Sequence, residues 1–476
     1  MKKQRTKIIA TVTNKFSDKK LMQLYENGVS VVRINFSHAT PESAEELITR
    51  INTLNKKGDT HLAILLDTKG PDIRTGERDF PLVVEKKQIF KIGINQETLN
   101  PETDIFCDYQ HLVKDVQVGQ EIIIDSGLLK VHVVEVHDDH IFVQADNDAE
   151  ITSKRHINLP GVKIALPALI NKDKEDIIFG IKMGVHFVAA SFIRTGQNVK
   201  DVRKFLDQHG GEHIKIISKV ENQEAIEKEN LEAIVKLSDG IMVARGDLGV
   251  EMPIQMLPVA QKSIMDTCFR YGKPVIVATE LLNSMITNPF PTRAEVSDVY
   301  NSVIMRADAV MLSGETAIGK YPITSVKTMK NIILEAEKTT NNKHKDFDLQ
   351  TVDKTKLLKK AIARQALLLA DEIKAKMVIV FSHTGELAAY VSSFKPNQKV
   401  VSFTVGEENH YRFDTSYGIV SEKIDKWEKH STDTQRKAIA FLQEKDTLKK
   451  DDYVVVIGEK NYDGIHQPQI RIVTIS

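Results

Sequence analysis

A chain of 476 residues whose 65 basic and 65 acidic side chains cancel has the length of two or three domains, and gives no electrostatic reason to expect nucleic acid or a membrane surface as partner. Two cysteines, Cys107 and Cys268, offer no disulfide framework and point to a reducing compartment. No apolar run reaches bilayer-spanning length, and the charged start Lys2-Lys3-Gln4-Arg5 leads straight into a strand pattern, so a cytoplasmic protein without a targeting segment is expected. In chain order, short Ile- and Val-rich runs occupy residues 6–12, 30–36, 62–67, 186–193, 215–221, 241–246, 274–280 and 309–314. They lack polar alternation, as strands buried on both faces should. Segments of helical period lie between most of them, at 18–27, 41–57, 173–183, 197–208, 254–270, 293–305 and 323–338. Strand and helix alternating eight times predict an α/β fold built on a (β/α)8 TIM barrel, whose active site sits at the C-terminal ends of the strands.

One repeat is interrupted. Roughly a hundred residues separate the third and fourth runs, far more than a crossover needs. The insert has short β-type runs at 82–84, 121–124, 131–134 and 141–143, separated by turn signals such as Asp125-Ser126-Gly127. It reads as a small all-β lid over the barrel mouth. After the lysine-rich stretch 338–356, read as a solvated connection, come a helix at 359–374 and strands at 377–381, 400–403, 417–420 and 453–457, which suggest an open α/β sheet. The expected domains are therefore a discontinuous barrel (1–70 and 162–342), the lid (71–161) and a C-terminal α/β domain (343–476).

Two run endings carry the chemistry: Lys215-Ile216-Ile217-Ser218-Lys219-Val220-Glu221 and Ile241-Met242-Val243-Ala244-Arg245-Gly246-Asp247. A Glu and an Asp from neighbouring strand ends can share one Mg²⁺, which prefers a few carboxylates plus substrate oxygens to an all-protein cage. A Lys beside them can hold an anionic substrate. Fourteen histidines besides His38 have no metal-ligand spacing and read as surface groups, as does Trp427.

Six stretches in one order extend the argument: Arg33-Ile34-Asn35-Phe36-Ser37-His38, Leu66-Asp67-Thr68-Lys69-Gly70-Pro71-Asp72-Ile73-Arg74-Thr75-Gly76, Ile217-Ser218-Lys219-Val220-Glu221-Asn222, Met242-Val243-Ala244-Arg245-Gly246-Asp247-Leu248-Gly249-Val250-Glu251, Pro291-Thr292-Arg293-Ala294-Glu295 and Met311-Leu312-Ser313-Gly314-Glu315-Thr316-Ala317. Together they resemble the pyruvate kinase family over essentially the whole chain. The resemblance implies phosphoryl transfer from phosphoenolpyruvate to ADP, giving pyruvate and ATP in glycolysis, by a homotetramer with Mg²⁺ (or Mn²⁺) and K⁺. It implies Glu221 and Asp247 as Mg²⁺ ligands, and Asn35, Ser37, Asp67 and Thr68 as K⁺ ligands. It implies Lys219 as the charge-balancing lysine, Gly246 and Asp247 amides as the substrate-carboxylate site, and Arg33 and Arg74 as phosphate-binding arginines. Thr279 would face the enolate carbon, with Ser313 and water completing a proton relay. Asn35, His38, Arg74 and the lid's Arg155 would meet the nucleotide. The loop Ser382-His383-Thr384-Gly385-Glu386 resembles a pocket for an activating phosphosugar, through Ser382, Thr384 and Gly385. Members with an acid at the position of Asp72 require K⁺; members with Lys there do without it.

The chain also departs from the family. Thr13-Asn14-Lys15-Phe16 replaces Gly-Pro-Ala-Ser near the nucleotide base, Ser126 replaces a lid Asp, and Glu280 replaces a Gln beside Thr279. Phe290 and Arg306 are further changes, and Glu386 and Tyr390 put a carboxylate and a phenol where an anion site would want neither. These departures keep a second reading open, a weakened paralogue that binds phosphoenolpyruvate or a phosphosugar and regulates a partner. A third, another Mg²⁺ barrel enzyme with an enolate intermediate, sits poorly with the lid, Lys219 and the C-terminal domain.

Overall fold

In the computed structural model, residues 4–340, 342, 344, 354–427, 431–462 and 465–476 are described. Eight parallel strands close a barrel: β1 (Lys7–Thr11), β2 (Val29–Asn35), β3 (Ala63–Asp67), β4 (Phe187–Ala190), β5 (Lys215–Val220), β6 (Gly240–Ala244), β7 (Val275–Ala278) and β8 (Ala309–Leu312), with β1 paired to both β2 and β8. The absence of alternation in the strand sequences has a direct cause. One side of each strand faces the barrel interior, where Ile9, Val31, Leu65, Phe187, Ile217, Met242, Ile276 and Met311 fill the space. The other side faces the helices, where Ile8, Val32, Ile64, Val188, Ile216, Val243, Val277 and Val310 are buried.

The crossover helices start with ordinary caps. Thr40 caps Pro41–Lys57, Thr195 caps Gly196–Gln208 and Thr292 caps Arg293–Ile304, each with its side chain accepting from the third backbone N–H. Two details differ from the sequence reading. A helix at Lys228–Leu237 follows β5; its start, Lys-Glu-Asn, is polar all round and hides the period, although Leu231, Ile234 and Val235 are buried. The segment expected as one helix from 254 is a 3-10 turn at Ile254–Met256 followed by Leu257–Tyr271, because Pro258 fixes the first helical turn.

The insert after β3 is all-β apart from turns, a 3-10 turn at Gln96–Thr98 and one α-helical turn at Leu112–Asp115. Its main sheet has six strands, including Glu121–Ile124, Leu129–Val136, His140–Ala145 and an unforeseen Ile89–Gly93. It has its own apolar core. The C-terminal sheet runs in the order Ile419–Lys423, Lys399–Thr404, Met377–Phe381, Tyr453–Tyr462, Ile465–Thr474, the last strand antiparallel and absent from the sequence reading. Most of the connection read as solvated at 338–356 lies outside the described residues.

The C-terminal domain docks on the N-terminal face of the barrel, away from the strand ends that carry charge. Tyr411 packs against the barrel-interior cluster, with its ring stacked on His61 at 4.5 Å and tilted over His186 at 4.0 Å. Lys395 meets Asp308 at 2.7 Å, both nearly fully buried. The histidines are thus not all surface groups: His186 Nδ1 accepts from the Ile64 N–H, and burial pushes its pKa down to about 4. Trp427 likewise is half-buried, with His383 against its ring at 4.4 Å.

Candidate functional site

The residues named for chemistry in the barrel lie at or just beyond the C-terminal ends of strands. Arg33 and Asn35 end β2 and Asp67 ends β3; Asn35 and Asp67 are direct register partners. Lys219 is the penultimate residue of β5, and Glu221 follows it. Gly246 and Asp247 lie in the short helix Arg245–Glu251 that leaves β6. Thr279 follows β7 and Ser313 follows β8.

The core of the site is a buried chain of alternating charge. Arg33 Nε donates to Asp67 Oδ2 at 2.6 Å, and Lys219 Nζ lies 3.2 Å from Asp67 Oδ1 and 2.9 Å from Glu221 Oε1. Glu221 is anchored on its other oxygen by the Phe192 N–H at 2.5 Å. Burial opposes the Asp67 charge, yet Arg33 and Lys219 outweigh it and hold that carboxyl below its usual range. Burial likewise opposes the Lys219 charge, and Asp67 and Glu221 reverse the balance, so Lys219 stays an ammonium. Glu221 is the exception. Burial raises its carboxyl well above 4.5, and neighbouring Asp247 adds to the rise against the pull of Lys219.

That exception bears on metal binding. Glu221 Oε1 is buried and, although close to Lys219 Nζ, has no well-directed hydrogen bond. Two carboxylates close enough to raise one pKa, one with a buried oxygen that has a lone pair to spare beside Lys219, fit a divalent cation whose remaining ligands come from substrate and water. Among the described residues no group of three or more His, Cys, Asp or Glu side chains could hold a metal alone. The candidate K⁺ residues are also an all-oxygen set with a single carboxylate. Asn35 Oδ1 accepts from the Ser37 N–H at 3.1 Å, and the Thr68 carbonyl accepts from the Ser191 hydroxyl at 2.7 Å, so each keeps a lone pair. Their chemistry fits a weakly held monovalent ion.

The remaining site residues are held by partners that the sequence did not advertise. Arg74 Nε donates to Asp72 Oδ2 at 2.6 Å, and its Nη1 donates to the Lys154 carbonyl at 2.7 Å, so Arg74 ties the two ends of the lid together. Lys69 approaches Asp72 at 3.2 Å as well. Arg155, on the returning segment, lies 3.5 Å from Asp125. His38 and Ser37 are exposed in the turn after β2. Thr279 adopts a left-handed backbone, φ 69, as does exposed Glu280, φ 55. Arg245, paired with Asp298 at 2.7 Å, donates to the Thr279 carbonyl at 2.8 Å and braces that strained pair. The Gly246 N–H, expected to be open for a substrate carboxylate, donates to Thr279 Oγ1 at 2.8 Å. Ser313 Oγ is buried without a hydrogen-bond partner among the described residues, while Glu315 accepts from the Ser313 and Leu282 N–H groups. Ser191, Arg245 and Glu315 were missed by sequence reasoning. Each lies within or beside a quoted strand ending, where polar residues after an apolar run were the available signal.

The departures at 13–16 and 280 do not breach this core. Phe16 is buried in the barrel's outer core, and its carbonyl accepts from Arg50 Nη2 at 2.5 Å, so the altered loop is anchored to the helix at Pro41–Lys57.

Comparison with known proteins agrees with the geometry. The family described as "Pyruvate kinase, barrel domain" matches residues 3–326, and "Pyruvate kinase, alpha/beta domain" matches residues 360–465. The pyruvate kinase of Borreliella burgdorferi is 37% identical over 457 residues, covering 95% of this chain and 93% of that protein. That of Clostridium perfringens is 39% identical over 427 residues, covering 88% and 89%. The crystal structure of a pyruvate kinase from Cryptosporidium parvum superposes with a TM-score of 0.91 at 33% identity, covering all of this chain and 97% of the other. No helix among the described residues is long and apolar enough to cross a membrane. A barrel with an inserted β lid, a C-terminal α/β sheet and a Lys–Glu–Asp cluster at adjoining strand ends, matched over nearly its full length by these relatives, belongs to the pyruvate kinase family.

Proposed function

We propose that this chain transfers the phosphoryl group of phosphoenolpyruvate to ADP, taking up one proton to give pyruvate and ATP. The observation that carries the reading is the charge pattern at the strand ends. Two buried cations, Arg33 and Lys219, face three carboxylates, Asp67, Glu221 and Asp247. With every carboxyl ionised these five groups sum to one negative charge, so cations entering with an anionic phosphate ester favour its binding. Glu221 and Asp247 would hold Mg²⁺ or Mn²⁺, and Asn35, Ser37, Asp67 and Thr68 would hold K⁺. When bound, the ions supply positive charge against the substrate carboxylate and phosphoryl oxygens.

The chain's own residues divide the remaining work. Lys219 lies almost out of solvent and stays charged, so it can offset charge moving from the phosphoryl group to the enolate oxygen. Arg33, aimed by Asp67 and by its Nη1 contact to Thr11 Oγ1 at 3.0 Å, presents a planar fork to phosphate. Arg74 and Arg155 sit on the two segments joining lid to barrel, placed to meet a nucleotide polyphosphate as the lid approaches, with Asn35 and His38 on the barrel side. The Gly246 and Asp247 backbone remains the candidate for the substrate carboxylate; the Gly246 N–H then exchanges Thr279 Oγ1 for the ligand. That exchange frees the Thr279 hydroxyl to orient a proton donor toward the enolate carbon, with the unpartnered Ser313 hydroxyl next in line.

The same reading places a barrel at 1–70 and 162–342, a lid at 71–161 and a C-terminal domain at 343–476, working in the cytoplasm as a homotetramer without nucleic-acid or membrane partners. Exposed Ile254, Met256, Val259, Phe290, Val296 and Ile318 support a further subunit contact on the β6–β8 side. A phosphosugar effector would meet Ser382, Thr384 and Gly385, but Glu386 is paired with Lys359 at 2.9 Å and Lys356 at 3.8 Å. An internal carboxylate already answers the nearest lysines, which supports weak activation.

The deciding experiment is pyruvate formation from phosphoenolpyruvate, measured with and without ADP in the presence of Mg²⁺ and K⁺. ADP-dependent pyruvate is expected. Phosphoenolpyruvate binding without turnover would replace this reading by the weakened regulatory paralogue, and pyruvate formed without ADP would indicate a different Mg²⁺ reaction.

A further inference from the structure

Lys219 has a third contact that none of the motif reasoning anticipates. Its Nζ donates to Ser191 Oγ at 2.8 Å. Ser191 follows β4, between the strands that carry Asp67 and Lys219, and is almost fully buried. Its hydroxyl has a single proton, and the shortest acceptor is the Thr68 carbonyl at 2.7 Å; Asp67 Oδ1 is farther, at 3.4 Å. With the proton committed to Thr68, the Ser191 lone pairs face the ammonium. The backbone is fixed too: the Ser191 N–H donates to Thr68 Oγ1 at 3.1 Å. Gly70, at φ 74, packs so tightly that a Cβ there would lie 2.6 Å from Ser191 Cβ. The Ser191 Cβ is therefore held against the loop after β3, and its bonds to the Thr68 carbonyl and Lys219 set the direction of the hydroxyl.

We infer that Ser191 is a positioning residue. It holds the Lys219 ammonium between the Asp67 and Glu221 carboxylates rather than collapsed onto either one, and ties that position to the Thr68 carbonyl of the candidate K⁺ set. The contact chain is Lys219 N–H to Ser191 Oγ, then Ser191 O–H to Thr68 O. Without the hydroxyl the ammonium has only the two carboxylates as partners and settles closer to them, away from a bound phosphoryl group. The Thr68 carbonyl loses its fixed donor at the same time.

This inference rests on the proposed phosphoryl transfer, so the wild-type assay comes first. ADP-dependent pyruvate formation by the wild type is required; its absence overturns the proposed reaction and leaves the Ser191 geometry as a description only of the fold. Given an active wild type, Ser191→Ala and the near-isosteric Ser191→Cys, a poor acceptor for an ammonium, are compared. Both are expected to lower kcat ten- to a hundredfold, as loss of a hydrogen bond to a charged group does, with KM for phosphoenolpyruvate changed less than threefold. A second readout needs no turnover: the rise in melting temperature on replacing tetramethylammonium chloride by KCl should shrink to less than half. A folded variant of either kind with kcat within twofold of wild type, or with an intact K⁺-dependent melting shift, overturns the assignment. So would a loss confined to KM, since a merely structural Ser191 would weaken binding and stability without a selective loss in turnover.

Discussion

Replacing Lys219 by Met separates the two roles of the central ammonium. The change costs stability as well as turnover. Lys219 is the shared partner of Asp67 at 3.2 Å and Glu221 at 2.9 Å, both carboxylates being 1% exposed. Deleting one partner of a buried pair leaves an uncompensated charge, which costs about 3–5 kcal/mol. Asp67 retains Arg33 at 2.6 Å, so the burden falls on Glu221. Its carboxyl is already raised by burial and must rise further without Lys219. A carboxyl raised in the folded state is no liability below its unfolded pKa, and its cost grows as pH climbs through the folded value. The gap in melting temperature between wild type and Lys219→Met should therefore be small at pH 5 and wide at pH 8. Mg²⁺ should narrow it, because an ion that binds only the folded form restores charge balance. Turnover should fall about a hundred- to a thousandfold, the usual loss for one electrostatic donor in a transition state. Scanning calorimetry at the two pH values, with and without MgCl₂, and steady-state kinetics give both readings. A mutant within threefold of wild-type kcat removes Lys219 from the chemistry, and a pH-independent melting gap refutes the charge argument.

Three further substitutions probe other parts of the molecule. Burial pushes the Glu251 carboxyl up to about 7 from 4.5, against its hydrogen bond from Asn158 Nδ2 at 2.9 Å. At about 1.4 kcal/mol per unit that span sets an upper bound of about 3.5 kcal/mol on what ionisation costs; Glu251→Gln should match wild type near pH 4.5 and be the more stable at pH 8, and equal melting curves at pH 8 would contradict it. Asp72→Lys should reduce the ratio of activity with KCl to activity without monovalent ions at least tenfold, with a lower kcat because Arg74 loses its 2.6 Å partner; full wild-type activity in buffer free of K⁺ and Na⁺ would defeat the premise. Any activation by a sugar bisphosphate should be weak and should vanish in Thr384→Ala, whose hydroxyl accepts from the Glu386 N–H at 3.4 Å; strong activation that survives the change places the effector elsewhere.

What the sequence could and could not reveal follows from the range of the forces involved. The barrel was legible because burial on both faces writes an unbroken apolar run for each strand, and a closed ring needs eight of them. The helix at Lys228–Leu237 was not, because its polar first turn drowned three buried positions in a ten-residue element. The strand Ile465–Thr474 was missed for a related reason: Gln467, Pro468 and Gln469 interrupt any period, while its ladder to Tyr453–Tyr462 is made by backbone groups that no side-chain pattern records. At the site, charged residues after apolar runs stood out, so Lys219, Glu221 and Asp247 could be named. Ser191 could not, since an Ala-Ala-Ser ending has no charge and a serine after a strand is ordinarily a turn residue. Its significance exists only in three dimensions, where β3, β4 and β5 bring Thr68, Ser191 and Lys219 into one line of hydrogen bonds. The Gly246–Thr279 contact is of the same kind: two residues named separately from two motifs turn out to occupy each other's hydrogen-bonding groups. A ligand taken up at the Gly246 N–H would therefore exchange one hydrogen bond for another rather than fill an open donor, and the energy of the bond it displaces is subtracted from the affinity it can gain there.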